Sequence, residues 1–180
     1  INITKSDLNS IYSFLEENEI ERRPFYPITN SVIIKLPGSA LEDPTPIDRN
    51  FNLTWSSELP ENNKVILGEW FKGTASDGLS ISNDIAQRYR LSIGDKVKVF
   101  FSDKEANTYI QSIREVNWDS FSPNFFVIGP PSMFKDSTAT YISSLYIPDD
   151  KTKVISKFMT EFKTVSVLSI EAIIDRVNEI

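Results

Sequence analysis

Two residue types are missing altogether: the 180-residue chain contains neither cysteine nor histidine. Their absence excludes disulfides, thiol chemistry, imidazole acid–base catalysis, Ser-His-Asp triads and metals held by His or Cys. Glycine is sparse, with six residues scattered along the chain. A phosphate-cradling loop needs several glycines close together, so that backbone N–H groups can approach the anion. Gly73 and Gly78 bracket Thr74-Ala75-Ser76-Asp77, but no Lys-Ser/Thr follows, and the stretch reads as a plain loop. Long hydrophobic runs are absent too. The longest apolar stretches, Ser31–Leu36 and Phe125–Ile128, are strand-sized, whereas a membrane-spanning helix needs about 20 residues. Basic residues are in deficit, 19 Lys plus Arg against 25 Asp plus Glu, for a net charge of −6. Such a surface repels phosphate backbones and weighs against a nucleic-acid partner. No signal peptide is visible, and a start at Ile1 rather than Met reads as a fragment whose targeting signals lie outside the text.

What is present is a mixture of helical and strand patterns. Helical spacing predicts four helices. Leu8, Ile11, Tyr12 and Leu15 form the stripe of the first, with Ser6 as N-cap. Ile85, Ala86 and Tyr89 form that of a short second helix opening at Ser82, with Gly94 as a stop signal. Ile155, Phe158, Met159 and Phe162 line a third after Pro148, capped by Asp149 or Asp150. Ile170, Ile173, Ile174 and Val177 line a fourth that starts at Ser169 and keeps its period to Ile180 without a C-cap. Strand signals cover Ser31–Leu36, Lys64–Leu67, Lys96–Phe101, Thr108–Val116, Phe125–Ile128, Thr138–Tyr146 and Thr164–Leu168. The Pro- and acid-containing stretch from Gly38 to Pro46 reads as an exposed connection.

The order of these elements suggests an α+β fold. Residues 1–50 plus 123–180 are expected to form one discontinuous α/β lobe of split βαβ type, with residues 51–122 inserted as a β-rich lobe carrying one short helix. A helix and strand of fifty residues alone would bury too little surface to stand as a separate domain.

With Cys and His gone, catalysis would have to use carboxylates, Lys, Tyr, Ser or Thr. Glu16, Glu17, Glu19 and Glu21 read as the solvated face and exit of the first helix, and Asp149-Asp150 as a cap. Glu42-Asp43 has no visible partner, and no Asp-x-Asp-x-Asp-Gly loop is present for a hard cation. Ser156-Lys157 and Ser102 with Lys104 are the available Ser-Lys pairs, a pattern common by chance. No catalytic, cofactor-binding or metal-binding residue is assigned.

The most unusual stretch runs from Val116 to Ile128 and is rich in aromatic residues. Its bland reading is a strand end, a turn and a second strand whose rings fill core; its functional reading is a hinge or a partner-docking face. Ile113-Arg114-Glu115-Val116-Asn117-Trp118-Asp119-Ser120-Phe121, followed by Asn124-Phe125-Phe126-Val127, resembles a signature of FtsX-like ABC transporter permeases of the YbbP type, relatives of MacB and of the LolC/LolE permeases. Phe51-Asn52-Leu53-Thr54-Trp55, Leu59-Pro60, Gly68-Glu69-Trp70-Phe71, Ile85-Ala86, Leu91, Ile93-Gly94-Asp95 and Ala139-Thr140-Tyr141-Ile142-Ser143-Ser144 resemble the same family. The chain departs from the pattern at Asn117, Ser122 and Gly129, where an acid, a base and an aromatic are usual.

The resemblance implies a periplasmic domain of an integral protein of the bacterial inner membrane, with a porter-like α/β lobe and a β-rich lobe termed the sabre. It implies no chemistry in this chain, ATP hydrolysis by a separate cytoplasmic ABC subunit, and transmission of motion to an exported substrate or an outer, lipid or hydrophobic partner. Trp118, Asp119, Ser120, Phe121, Asn124, Phe125 and Phe126 then become a candidate hinge or partner contact, and the helix of Ile170, Ile173, Ile174 and Val177 a candidate lever into the membrane. Apolar runs of about 20 residues are expected shortly before Ile1 and shortly after Ile180. A competing expectation is a lipid- or hydrophobic-ligand module using a cleft between the lobes, supplied by Trp70, Phe71, Trp118, Phe121, Phe125 and Phe126. A carboxylate- or Ser-Lys-dependent hydrolase is the third expectation.

Overall fold

Alternation of apolar and polar residues builds a ring of strands in this chain, and a few helical stripes build the rest. The computed structural model describes residues 3–36, 45–73 and 76–169. In chain order the elements are α1 (Asp7–Glu17), β1 (Tyr26–Lys35), β2 (Thr45–Trp55), β3 (Asn63–Gly68), β4 (Leu79–Ser82), α2 (Asn83–Tyr89), β5 (Lys96–Phe101), β6 (Lys104–Val116), β7 (Val127–Gly129), β8 (Thr140–Ile142) and α3 (Lys153–Glu161). The fold is thus a mixed α/β one. The expected fourth helix, with Ile170, Ile173, Ile174 and Val177, lies outside the described residues, as do residues 38–44 of the expected connection, whose last two residues, 45 and 46, belong to β2.

The chain divides into two compact units. One gathers the described residues of Ile1–Phe25, Phe121–Pro123 and Thr140–Ile180; the other comprises Tyr26–Ser120 and Asn124–Ala139. These units have other bounds than the expected 1–50 plus 123–180 and 51–122. Residues 26–36 and 45–50 group with the β-rich unit because β1 pairs antiparallel with both β2 and β5. Residues 124–139 follow because β7 pairs parallel with β2 and antiparallel with β4.

In the β-rich unit the pairing closes on itself. β1 lies beside β2, β2 beside β7, β7 beside β4, β4 beside β6, β6 beside β5, and β5 again beside β1. Closure leaves these six strands with neighbours on both sides. β3 is added outside the ring, antiparallel to the second half of β6. The inward residues fill the ring, among them Ile33, Leu53, Leu79, Ile81, Val97, Val99, Phe101, Ile110 and Val127. The β5–β6 hairpin turns at Ser102-Asp103, with Ser102 at φ 51°, so β6 starts at Lys104 and not at the expected Thr108. Gly68 ends β3 at φ 74°, where a side chain would run into the carbonyl of Gln111, so both conformation and space require glycine. As expected, Ser82 opens α2: its hydroxyl accepts from the N–H of Ile85 at 3.4 Å. The helix stops on Arg90 in the left-handed region rather than at Gly94. Gly94 instead turns the chain into β5, where Asp95 accepts from the Ser92 N–H and pairs with Lys35 at 2.8 Å.

The other unit is built on side-chain packing. Ile11, Phe14 and Leu15 of α1 meet Val154, Phe158 and Phe162, together with Ile3, Ile20 and Tyr141. Phe14 contacts Phe158 and Phe162 edge-on, at 5.4 and 5.6 Å. Five expectations are corrected here. Ser6 makes no side-chain cap and takes helical torsions, because Thr4 bonds Ser6 and Asp7 instead. On α3 the buried stripe turns toward Val154, Phe158 and Phe162, leaving Ile155 and Met159 exposed, and neither Asp149 nor Asp150 caps it, since they form a separate 3-10 turn before Thr152. Thr164–Leu168 is not a strand, and Thr138–Tyr146 contracts to β8, so the described residues of this unit do not complete a split βαβ motif.

Candidate functional site

The aromatic segment is organised from beneath by a buried arginine. On β6, alternation puts Thr108, Ile110, Ser112 and Arg114 on the inward face, and the Arg114 side chain is 0% exposed. Among the described residues it has no carboxylate partner. Its Nε donates to Ser80 Oγ at 2.8 Å and its Nη1 to Asn63 Oδ1. Its Nη2 reaches the carbonyls of Phe125 and Phe126 at 3.1 and 3.3 Å. Burial holds the guanidinium down to about pKa 9, still charged at neutral pH. A buried cation is tolerated only when its donors are satisfied, and these acceptors satisfy them.

The network continues outward. Asn63 donates to Asn124 Oδ1 at 3.3 Å, and Asn124 Nδ2 donates to the Asn117 carbonyl and to Ser120 Oγ, both at 2.9 Å. The Asn117 side chain accepts from the Asp119 N–H. Of the residues expected to form the site, Asn124 and Ser120 are therefore the stitching of the loop, and Asp119 is held by it through its backbone. Phe125 turns inward, buried against Tyr26 with ring centres 5.5 Å apart. Burial, then the charges of Glu61 and Glu58, push the Tyr26 phenol up. Phe121 is exposed.

Trp118 and Phe126 are brought together. Their rings lie 4.6 Å apart, and Phe126 meets Phe51 at 6.2 Å. The Trp118 indole N–H donates to Asp84 Oδ2 of α2 at 2.8 Å. Phe51, Ile85, Trp118, Phe126, Asp84 and Arg88 line an open surface cleft of about 380 Å³ that lies wholly within the β-rich unit. The sequence reading gave Arg114 only as part of the signature, with no role, and missed Asn63, Asp84 and Arg88. Arg114 could have been found from its register, two residues beyond Ser112 and four beyond Ile110 on one strand face. Asp84 and Arg88 carried only the i, i+4 spacing of an ordinary surface pair. Among the described residues no three acidic side chains converge as a metal site, and no helix is long and apolar enough to cross a membrane.

No family model matches the chain. The uncharacterized ABC transporter permease YbbP of Escherichia coli (strain K12) is 27% identical over 180 residues, a match covering 98% of this chain and 22% of that protein. The chain thus spans about a fifth of that relative's length. A crystallised domain described as coming from a permease of Porphyromonas gingivalis covers 87% of this chain and 76% of its own, at 12% identity and a TM-score of 0.45, a likeness too loose to bear on function. The resemblance met at the Trp118 segment extends along nearly the whole chain, which is similar in sequence to an ABC transporter permease.

Proposed function

We propose that this chain is the extracytoplasmic domain of an ABC transporter permease, standing on the periplasmic face of the bacterial inner membrane and passing motion from a cytoplasmic ATPase subunit to an exported substrate or an outer partner. The observation that carries the reading is the 27% identity to a permease along 98% of the chain. In this reading the helical unit is the porter-like lobe, the β-rich unit is the sabre-like one, and bond-making belongs to the separate ATPase. The braced loop of Trp118, Asp119, Ser120, Phe121, Asn124, Phe125 and Phe126 acts as a contact face, and the segment of Ile170, Ile173, Ile174 and Val177 as the lever toward the membrane.

These 180 residues hold no cysteine, so a single one can be placed in the domain once any cysteine elsewhere in the full-length protein has been replaced. Phe121→Cys in the full-length protein is expected to react with a membrane-impermeant maleimide in intact cells, and its labelling rate is expected to change when the transporter is trapped with ATP. Labelling only after lysis would overturn the periplasmic placement. A rate indifferent to nucleotide at this site and at a second site on α3 would overturn the transmission.

The alternative of a hydrophobic-ligand module is favoured by one observation, the aromatic cleft of Phe51, Trp118 and Phe126. It lies inside the β-rich unit, so it supports such a module there and gives no support to an inter-lobe site.

A further inference from the structure

Ring closure removes the edges of six strands, but β3 stays outside the ring. It pairs with β6 alone, so its other side is an open sheet edge. In an antiparallel strand, alternate residues turn their N–H and C=O groups to opposite sides, and half of these groups on β3 therefore point away from β6. Among the described residues, no hydrogen bond reaches the backbone of Lys64 to Gly68 except through the β6 ladder. Open edges are ordinarily guarded by charged side chains. This one carries a single charge, Lys64, and the apolar run Val65-Ile66-Leu67, with Ile66 41% and Leu67 55% exposed.

We infer that the outer edge of β3 is a docking strand for a partner protein, which adds a short extended segment with apolar side chains to the sheet by backbone pairing. The chemistry of the edge selects the occupant. A row of backbone donors and acceptors at strand spacing is matched group for group by an extended polypeptide, whereas a lipid surface or an apolar small molecule leaves the row unmet. Backbone bonds then supply affinity, and Ile66 and Leu67 favour apolar side chains on the incoming strand. A second copy of this chain fits less well. The β3–β6 register shifts between Val65 and Leu67, so Ile66 is an extra residue and the edge is bulged. A pliable segment can follow one bulge, but two fixed edges paired with each other would have to match two. Each copy also brings a net charge of −6. This inference rests on β3 alone and not on the permease reading.

The test uses the 180-residue chain and a blocked hexapeptide of alternating Thr and Val, followed by amide NMR shifts and hydrogen exchange. The peptide is expected to shift the amides of Lys64–Gly68 saturably and to slow exchange at those turned away from β6. The same peptide N-methylated at every residue has no N–H to donate and is expected not to bind. The double variant Ile66→Lys, Leu67→Lys changes only exposed side chains, and it is expected to keep the wild-type urea midpoint while binding the hexapeptide roughly tenfold more weakly. No saturable shift at millimolar peptide overturns the inference, as do shifts confined to other strands. Equal binding of the N-methylated peptide also overturns it, since the contact is then apolar and not strand addition. So does dimerisation of the chain alone, seen by sedimentation and abolished in the double variant, because it assigns the edge to a second copy.

Discussion

The two units of this chain stand on different kinds of contact. In the β-rich unit, six strands are each held by two neighbours, and the deepest side chain is a charged one, Arg114, paired only with neutral oxygens. In the helical unit, α1 and α3 meet through aromatic edges, and no α3 residue is fully buried. The first kind of order depends on every polar group finding its partner; the second depends on apolar area. Each therefore fails to a different kind of substitution.

All three tryptophans, Trp55, Trp70 and Trp118, fall in the β-rich unit, so their fluorescence follows that unit, while ellipticity at 222 nm is weighted toward α1 and α3. The largest effect is expected from Arg114→Ala. It strands Asn63 Oδ1 and the Phe125 carbonyl and empties the space the side chain filled, while Ser80 Oγ keeps the Ser112 hydroxyl and the Phe126 carbonyl keeps the Ser82 N–H; the cost is about 4 kcal/mol, read as a fall in the urea midpoint of the tryptophan signal. Next is Phe14→Ala, expected to cost about 3 kcal/mol and to lower the ellipticity midpoint while leaving the tryptophan midpoint in place. If both signals shift together in both variants, the units unfold as one and the contrast drawn here is broken.

A smaller effect concerns Asp95. Burial pushes its carboxyl up, but the Lys35 bond, the Ser92 N–H and the Lys35 charge outweigh that and leave it below its ordinary value. A carboxyl depressed in the folded state contributes stability that is full above the unfolded value of about 4 and is lost as pH falls through the folded value. Asp95→Asn is expected to remove about 1 kcal/mol or less at neutral pH and to flatten the tryptophan-detected acid profile below about pH 4. The smallest change is expected from Trp118→Phe, within about 1 kcal/mol. Loss of the indole N–H frees Asp84 to join Arg88, so an Asp84–Arg88 pair should appear in its structure, and its absence would show that Trp118 is not what keeps them apart.

Local rules carried much of the fold. The β5 limits were legible because Val97, Val99 and Phe101 alternate with Lys96 and Lys98, and the α2 start because Ser82 is a good cap. The unit boundary was not legible. Whether β1 serves a helix or a ring is decided by partners at β2 and β5, far along the chain, and periodicity contains no such information. Helix phase failed by one position on α3, where Val154 rather than Ile155 is packed, because both are apolar and only the position of α1 chooses between them. In the site, the aromatic stretch was conspicuous. Its support was hidden, since Arg114 reads as a surface charge until the neighbouring strands supply Ser80 and the two carbonyls. The Trp118–Asp84 bond was equally hidden, since it joins residues 34 apart in the chain.

The returning ladder of β1 has a mechanical corollary. A pull along this strand loads the β2 and β5 bonds lengthwise and together, so rows of them must yield at once instead of peeling in turn. A hoop bound in that way yields late under tension and hands on displacement with little stretch, much as a stiff link does in a chain of softer ones.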